Sequence, residues 1–260
     1  MSRWLLWILT LVVLTPVVPA QQEPGNGPPE DPARGSEADW EAEDWDLVTD
    51  RDDIKVYMAH DNDARIKTFR GVTTLPMEDY TSIGAAFDDY EFVASWLHMV
   101  SEIEALDRKS PFDREVYVTT RLPWPVSDRD TPLWVGLEQR DNYAVYIPFH
   151  HMPDRMPEKD GFVRIPQMQG FFLFKPVEPG RVKMTFQVVL DPGGYVPTWL
   201  ANMILRDIPY FSMKRLRRVV NLDQYQNTDH GYYEIPPAWR DDSENAQGAP
   251  ESPETESSAQ

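Results

Sequence analysis

The sequence predicts an α+β fold in which one antiparallel sheet packs against a long C-terminal helix. Between residues 101 and 190, six apolar runs of strand-like composition follow one another with only short links between them. Strands connected in this way pair with their neighbours in antiparallel fashion rather than through βαβ units. After the last run, apolar residues recur at roughly helical spacing from Pro197 to about Gln224. A helix there can cover the apolar face of the sheet, and the sheet is expected to curl around it.

The ordered chain is expected to begin near residue 38. Trp40, Trp45 and Leu47 stand there among acidic residues. This segment fits either a short amphipathic helix that inserts both indoles into the body or a loop anchored by the same aromatic residues. The pair Asp52-Asp53 indicates a turn. Alternation and helical spacing then predict two strands and two helices, at 54–58, 66–72, 76–88 and 91–97.

The rest of the sheet is predicted from runs rich in β-branched and aromatic residues. These runs lie at 101–108, 114–122, 132–140, 143–149, 161–176 and 182–190. The 161–176 strand is expected to bend at Pro166 or Gly170. The final helix contains Pro209, which removes a backbone hydrogen bond and is expected to kink it.

The negative charge of the chain is concentrated in its two ends. The formal net charge is −18, of which residues 21–46, with nine acids and one Arg, carry −8. Residues 238–260, with six acids and one Arg, carry a further −5. Because the sequence contains no basic stripe that could bind phosphates, a nucleic-acid partner is excluded.

The first twenty residues have the pattern of a secretion signal. Arg3 supplies the positive region, residues 4–14 an apolar run, and Val18-Pro19-Ala20 a small-residue end. The apolar run is short for a membrane span, which needs about 20 residues, although an uncleaved anchor is the alternative. We therefore expect a periplasmic or secreted protein. Its predicted parts are a signal at 1–20, a disordered linker at 21–37, a folded body at 38–225 and a disordered acidic tail at 237–260.

The sequence contains few groups that suit catalysis or metal binding. It has no cysteine, so disulfides, thiolate metal sites and Cys nucleophiles are excluded. His150 and His151 are interpreted as solvated loop residues, and on a strand adjacent side chains would point to opposite faces. The pairs Asp52-Asp53 and Asp88-Asp89 fall at expected turns. No catalytic or phosphate-binding motif is visible, so neither a metal nor a cofactor is predicted.

Several short motifs occur in the order found in a known family. Two of them are the most specific: Pro-Trp-Pro-Val-Ser-Asp-Arg-Asp at 123–130 and Asp-Pro-Gly-Gly-Tyr-Val-Pro at 191–197. The others are at 45–48, 54–57, 161–164 and 170–173. Over roughly residues 40–222 the sequence resembles START (steroidogenic-acute-regulatory-related lipid-transfer) domains. The resemblance implies a helix-grip fold, in which a U-shaped sheet grips the C-terminal helix around one deep lipid cavity.

The resemblance also implies which residues face the ligand. In the family, the Arg of the Arg-Asp pair lies inside the cavity and pairs with an acid on the preceding strand. Here that Arg is Arg129, and Glu115 is the first candidate for its partner, with Asp128 and Asp130 as competitors. Arg164 is interpreted as structural rather than as a head-group contact. Aromatic and thioether side chains are candidates for the cavity wall, with plain core packing as the alternative: Trp134, Phe172, Phe174, Met184, Phe186, Trp199 and Met203.

The expected function is to bind one lipid or other hydrophobic molecule in an internal cavity and to solubilise or transfer it. A monomer with transient membrane contact is expected, in which the loop 122–131 and the helix from Pro197 part to admit the ligand. Two alternatives remain open. The first is an enzyme of the helix-grip superfamily, resembling a cyclase or hydrolase, that acts on a hydrophobic substrate in the same cavity. The second is a module that delivers cargo to a protein partner through its acidic tails.

Overall fold

The computed structural model describes residues 45–59, 67–228 and 232–240. The predictions for the signal, the linker, Trp40 and residues 241–260 of the tail concern residues outside these ranges. Within them, no helix is both long and apolar enough to cross a membrane.

One large sheet and a long helix make up most of the structure. The strands are β1 Trp45–Arg51, β2 Ile54–Ala59, β3 Lys67–Pro76, β4 Val100–Ser110, β5 Asp113–Thr120, β6 Asp128–Gly136, β7 Glu138–Gln139, β8 Val145–His151, β9 Phe162–Arg164, β10 Gln167–Glu178 and β11 Arg181–Asp191. The helices are α1 Ser82–Asp88, α2 Tyr90–Trp96 and α3 Thr198–Val219, with short 3-10 turns at Asp223–Tyr225 and Pro237–Trp239.

The sheet is antiparallel along its whole main path, in the order β1-β2-β3-β11-β10-β8-β6-β5-β4. The two short strands lie off this path, β7 on β8 and β9 parallel to β6. Register shifts interrupt the β4–β5 pairing at three places, and such bulges bend a strand and increase its twist. The predicted α+β fold, a curved antiparallel sheet with a C-terminal helix, is confirmed.

The first strand differs from the prediction. Trp45 and Leu47 lie in β1, where they pair with Ala59 and Tyr57 of β2, rather than in a helix or loop. The Asp52-Asp53 turn explains this difference. Both residues have positive φ, 56° and 58°, as in the two-residue turns that close a tight hairpin, so the residues before the turn must pair with those after it.

Other boundaries shift for local reasons. The first helix begins at Ser82 rather than near Pro76, because Asp79 binds Thr81 and Ser82 in a turn that precedes it. The predicted 161–176 strand is interrupted at residues 165–166, as expected for a bend at Pro166. The pair His150-His151 lies in β8, not in a loop. Pro209 lies inside α3.

Helix α3 packs closely on β3 at a glycine. A Cβ atom at Gly71 would lie 2.5 Å from Met213 Sδ and 2.9 Å from Pro209 Cβ. Contacts this short do not occur between real side chains, so the helix reaches this depth only because position 71 has no side chain. Gly71 thereby sets the distance between α3 and the sheet.

We expect Gly71→Ala to lower the free energy of unfolding by about 1–3 kcal/mol, since the added methyl overpacks the helix–sheet contact. Urea denaturation followed by tryptophan fluorescence measures this change. Thr74→Ala, a position on the other face of β3, is the control and should change stability by less than about 0.5 kcal/mol. Equal stability of the Gly71 variant and the wild type would contradict this packing argument.

Candidate functional site

A cavity lies between the inner face of the sheet and helices α2 and α3. The volume of the cavity is about 150 Å³. The walls are almost entirely apolar and include Val93, Val116, Leu133, Phe149, Phe172 and Ile204. An apolar cavity with a few placed polar groups is typical of a site for a hydrophobic small molecule.

Strand alternation determines which side chains reach the cavity. Strand β5 contributes every second residue from Arg114 to Thr120, and β6 every second residue from Arg129 to Val135. On α3, the lining residues Ala201, Ile204, Leu205 and Ile208 have helical spacing. No Asp or Glu is among the described residues that line the cavity, whereas two arginines and His98 are.

Arg129 joins the two motif loops. Its side chain is buried, with 2% exposed, and Nε and Nη2 donate to the carbonyls of Pro192 and Gly193 at 3.1 and 3.0 Å. Nη1 donates to the carbonyl of Ser127. Gly193 and Gly194 have φ of 64° and 58°, a region that favours glycine and turns the chain toward α3. Burial lowers the pKa of Arg129, although the nearby Asp128 carboxylate partly opposes this effect.

The predicted pair of Arg129 with Glu115 is wrong. Arg129 lies opposite Thr120 in the β5–β6 register, and Thr120 is five residues from Glu115 along β5. Because five is an odd separation, the side chains of Arg129 and Glu115 lie on opposite faces of the sheet. The Glu115 carboxylate instead accepts from Arg155 Nε and, at 3.3 Å, from Lys109 Nζ. These cations, Arg155 first, lower the pKa of Glu115 despite its burial.

The competing acids do not pair with Arg129 either. Asp128 Oδ1 accepts from the backbone N–H of Leu122 at 3.1 Å. Asp130 accepts two hydrogen bonds from Arg164, both at 3.0 Å, and one from the Tyr117 hydroxyl at 2.8 Å. Arg164 therefore has the structural role predicted for it, outside the cavity.

The predicted wall residues divide into three groups. Phe172 and Phe186 line the cavity, with ring centroids 4.1 Å apart. Met184 and Phe174 are core residues. The remaining three, Trp134, Trp199 and Met203, do not line the cavity.

The alternation of side chains along β6 and the helical spacing along α3 keep these three side chains off the cavity wall. Trp134 lies on the outer face of β6, where Nε1 donates to Asp113 at 2.8 Å and the ring stacks on His150. Trp199 and Met203 lie on α3 outside the stripe that faces the cavity. Sequence reasoning missed Arg114 and Tyr90, which both line the cavity. Strand alternation through Val116 and Val118 could have identified Arg114.

Three exposed aromatic side chains flank the cavity wall. Trp124, Tyr195 and Trp199 are 91%, 87% and 70% exposed. Each lies within two residues of a lining residue, namely Leu122, Val196 or Ala201. We call these three residues the aromatic rim. Large apolar side chains exposed together mark contact surfaces, and the position of these three beside lining residues makes the rim a candidate for one.

We expect Arg129→Met to lower the free energy of unfolding by about 3 kcal/mol, because three carbonyls lose their donor where water does not replace it. Arg121→Met, at an exposed position in the adjoining loop, is the matched control and should change stability by less than about 0.5 kcal/mol. Urea denaturation measures both variants. An Arg129 variant as stable as the control would contradict the joining role.

Known proteins resemble this chain over most of its length. The START domain model matches residues 33–224. An uncharacterised protein of Pseudomonas aeruginosa is 34% identical over 176 residues, which are 68% of this chain and 86% of that protein. Phosphatidylcholine transfer protein of Homo sapiens is 22% identical over 187 residues, 68% of this chain and 85% of that protein.

Solved structures share the fold. The STAR-related lipid transfer protein from Xanthomonas axonopodis matches with a TM-score of 0.63 and 29% identity, over 68% of this chain and 99% of that one. Human STARD10 matches with a TM-score of 0.60 and 18% identity, over 68% of this chain and 72% of that one. The resemblance found in the sequence motifs is confirmed, and the chain belongs to the START domain family.

Proposed function

We propose that the protein binds one lipid or similar hydrophobic molecule in its internal cavity and solubilises or transfers it as a monomer. The apolar cavity between the sheet and α3 carries this proposal. Burying a hydrocarbon chain there stabilises the complex by about 0.8 kcal/mol per CH₂ group. Membership of a family known for lipid binding, and similarity to a phosphatidylcholine transfer protein, support the same function.

We also propose that the protein acts in the periplasm or after secretion, on the basis of the signal-like residues 1–20. In either place a lipid must cross water between membranes. A carrier that encloses the chains of the lipid would lower the barrier to that transfer.

Binding rather than catalysis is the proposed outcome in the cavity. His98 is the candidate base for the enzyme alternative, since it lines the cavity and an imidazole can accept a proton. Its ring packs on Phe211, and burial, followed by the nearby Arg215, lowers its pKa. Because the described lining residues include no carboxylate, His98 has no acid partner on the cavity wall. A bound molecule recovered chemically unchanged would support the carrier over the enzyme.

Entry of the ligand is proposed to occur where the aromatic rim meets a membrane. Tyr and Trp are suited to the membrane interface, because one part of each side chain is apolar and another is polar. The rim residues lie on the loops joined through Arg129 and on the first turn of α3. Separation of these loops would break the Arg129 hydrogen bonds and open the cavity beside the membrane.

Native mass spectrometry of the full chain, followed by solvent extraction, tests the binding function. We expect one bound hydrophobic molecule per chain after incubation with a broad lipid extract. Ile204→Trp should abolish binding by filling the cavity, whereas Met203→Trp, its exposed neighbour on α3, should not. A thermal melt shows whether each variant is folded. A folded wild-type protein that remains empty after the incubation would overturn the proposal.

The double variant Trp124→Ala/Trp199→Ala should slow lipid transfer between vesicles at least about a hundredfold, since the two indoles together contribute about 3–6 kcal/mol when removed from water and about 1.4 kcal/mol corresponds to a factor of ten. Transfer of a fluorescent lipid measures the rate, and affinity for the same lipid in detergent should be unchanged. Phe112→Ala, an exposed aromatic on the β4–β5 turn, is the control. Equal rates for all three proteins would rule out the rim as the membrane contact.

A further inference from the structure

Two hydrogen-bond donors on the cavity wall have no partner among the described residues. They are Arg114 Nη2 and Tyr90 Oη, and both atoms are buried. Arg114 as a whole is only 4% exposed, and both residues line the cavity. Buried polar groups in folded proteins are nearly always hydrogen-bonded, because an unpaired one costs about 1–3 kcal/mol. These donors therefore favour an acceptor that enters the cavity.

The other contacts of Arg114 hold its guanidinium in place. Nε donates to the carbonyl of Pro111 at 2.8 Å, and Nη1 donates to the carbonyl of Phe87 at 3.5 Å and pairs with the Asp88 carboxylate. Tyr90 begins α2 two residues after Asp88. Both donors thus belong to the junction of α1 and α2 with β5, and the position of Nη2 is set before any ligand binds.

The charge at this junction favours an anion. Asp88 pairs with both Arg114 and Arg108, the latter at 3.1 Å, so two guanidinium groups share one carboxylate. The Tyr232 hydroxyl donates to the same carboxylate at 2.8 Å. The neighbouring Asp89 carboxylate accepts from the Phe92 N–H and the Tyr225 hydroxyl and does not line the cavity. The charge that this junction presents to the wall is therefore the positive charge of Arg114. The described cavity wall contributes no Asp or Glu to neutralise it.

The two arginines on the wall stand at opposite ends of the cavity. In the β5–β6 register, Arg114 lies opposite Val135. Arg129 lies opposite Thr120, which is six residues farther along β5 than Arg114. At about 3.3 Å per residue this separation is roughly 20 Å. All three nitrogens of Arg129 donate to backbone carbonyls, whereas Arg114 keeps Nη2 without a partner.

We propose that Arg114 and Tyr90 form an inner anion subsite that binds the carboxylate of a long-chain acid, with the hydrocarbon chain directed toward the aromatic rim. The inference rests on the proposed binding function and specifies its ligand class and orientation. Arg114 Nη2 offers two N–H groups and Tyr90 one hydroxyl, donors of the kind that a carboxylate accepts, and hydrogen bonds to ionised groups are the stronger kind. Most of the remaining wall is apolar and suits the hydrocarbon chain.

Competition binding with hexadecanoic acid, its methyl ester and 1-hexadecanol at neutral pH tests the subsite. We expect the wild-type protein to bind the acid at least about tenfold more tightly than either neutral probe, as a hydrogen bond to a charged group predicts. Tyr90→Phe should weaken binding of the acid about tenfold and leave the ester unchanged. Tyr57→Phe, the same change outside the cavity, should alter neither.

Three other outcomes would overturn the inference. Equal binding of all three probes by the wild-type protein would exclude the subsite but leave the binding function intact. Loss of acid preference in Arg129→Met together with its retention in Tyr90→Phe would place the carboxylate near the loops instead. Failure of the folded protein to bind any of the probes or a broad lipid extract would remove both the subsite and the proposed function.

Discussion

The site depends on the strict alternation of side chains along β5 and β6. One face of these paired strands presents Val116, Val118 and Leu133 to the cavity, and the other presents Glu115 and Asp130 to cations outside it. A shift of one residue in either strand would exchange the faces and place carboxylates in the apolar cavity, at a cost of several kcal/mol per buried charge. The burial of ionised groups therefore opposes any slip in register.

This arrangement leaves two arginines as the guanidinium groups on the described cavity wall. The two buried guanidinium groups are stabilised by different kinds of partner. Arg129 donates to three carbonyls that the motif loops direct inward, and Arg114 shares the carboxylate of Asp88 with Arg108. The backbone oxygens carry only partial charges, so the end of the cavity near Arg129 remains positive in character but has few donors available. At the opposite end, Arg114 Nη2 and the Tyr90 hydroxyl have no hydrogen-bond partner among the described residues.

The sequence was sufficient to predict the fold class, the succession of most strands along the chain and the C-terminal helix, because local alternation and helical spacing determine these features. It also identified Arg129, Phe172 and Phe186 as residues of the cavity wall. The partner of Glu115 could not be predicted, since Arg155 reaches it from a loop forty residues later in the chain. Likewise, the exposure of Trp199 depends on the rotation of α3 about its axis, which the packing of the whole helix on the sheet determines.

The two most specific motifs, whose contacting residues are 63 and 64 positions apart in the chain, meet at one guanidinium. Arg129 belongs to the first motif, and the carbonyls of Pro192 and Gly193 belong to the second, directly before α3. Because β6 is held on both sides by its neighbours, the loops rather than the strand can move when these hydrogen bonds break. In water, the freed carbonyls and guanidinium would be solvated, so separation costs less there than in an apolar medium. If the aromatic rim contacts a membrane as proposed, opening is expected where polar head groups or water reach the loops beside the apolar layer.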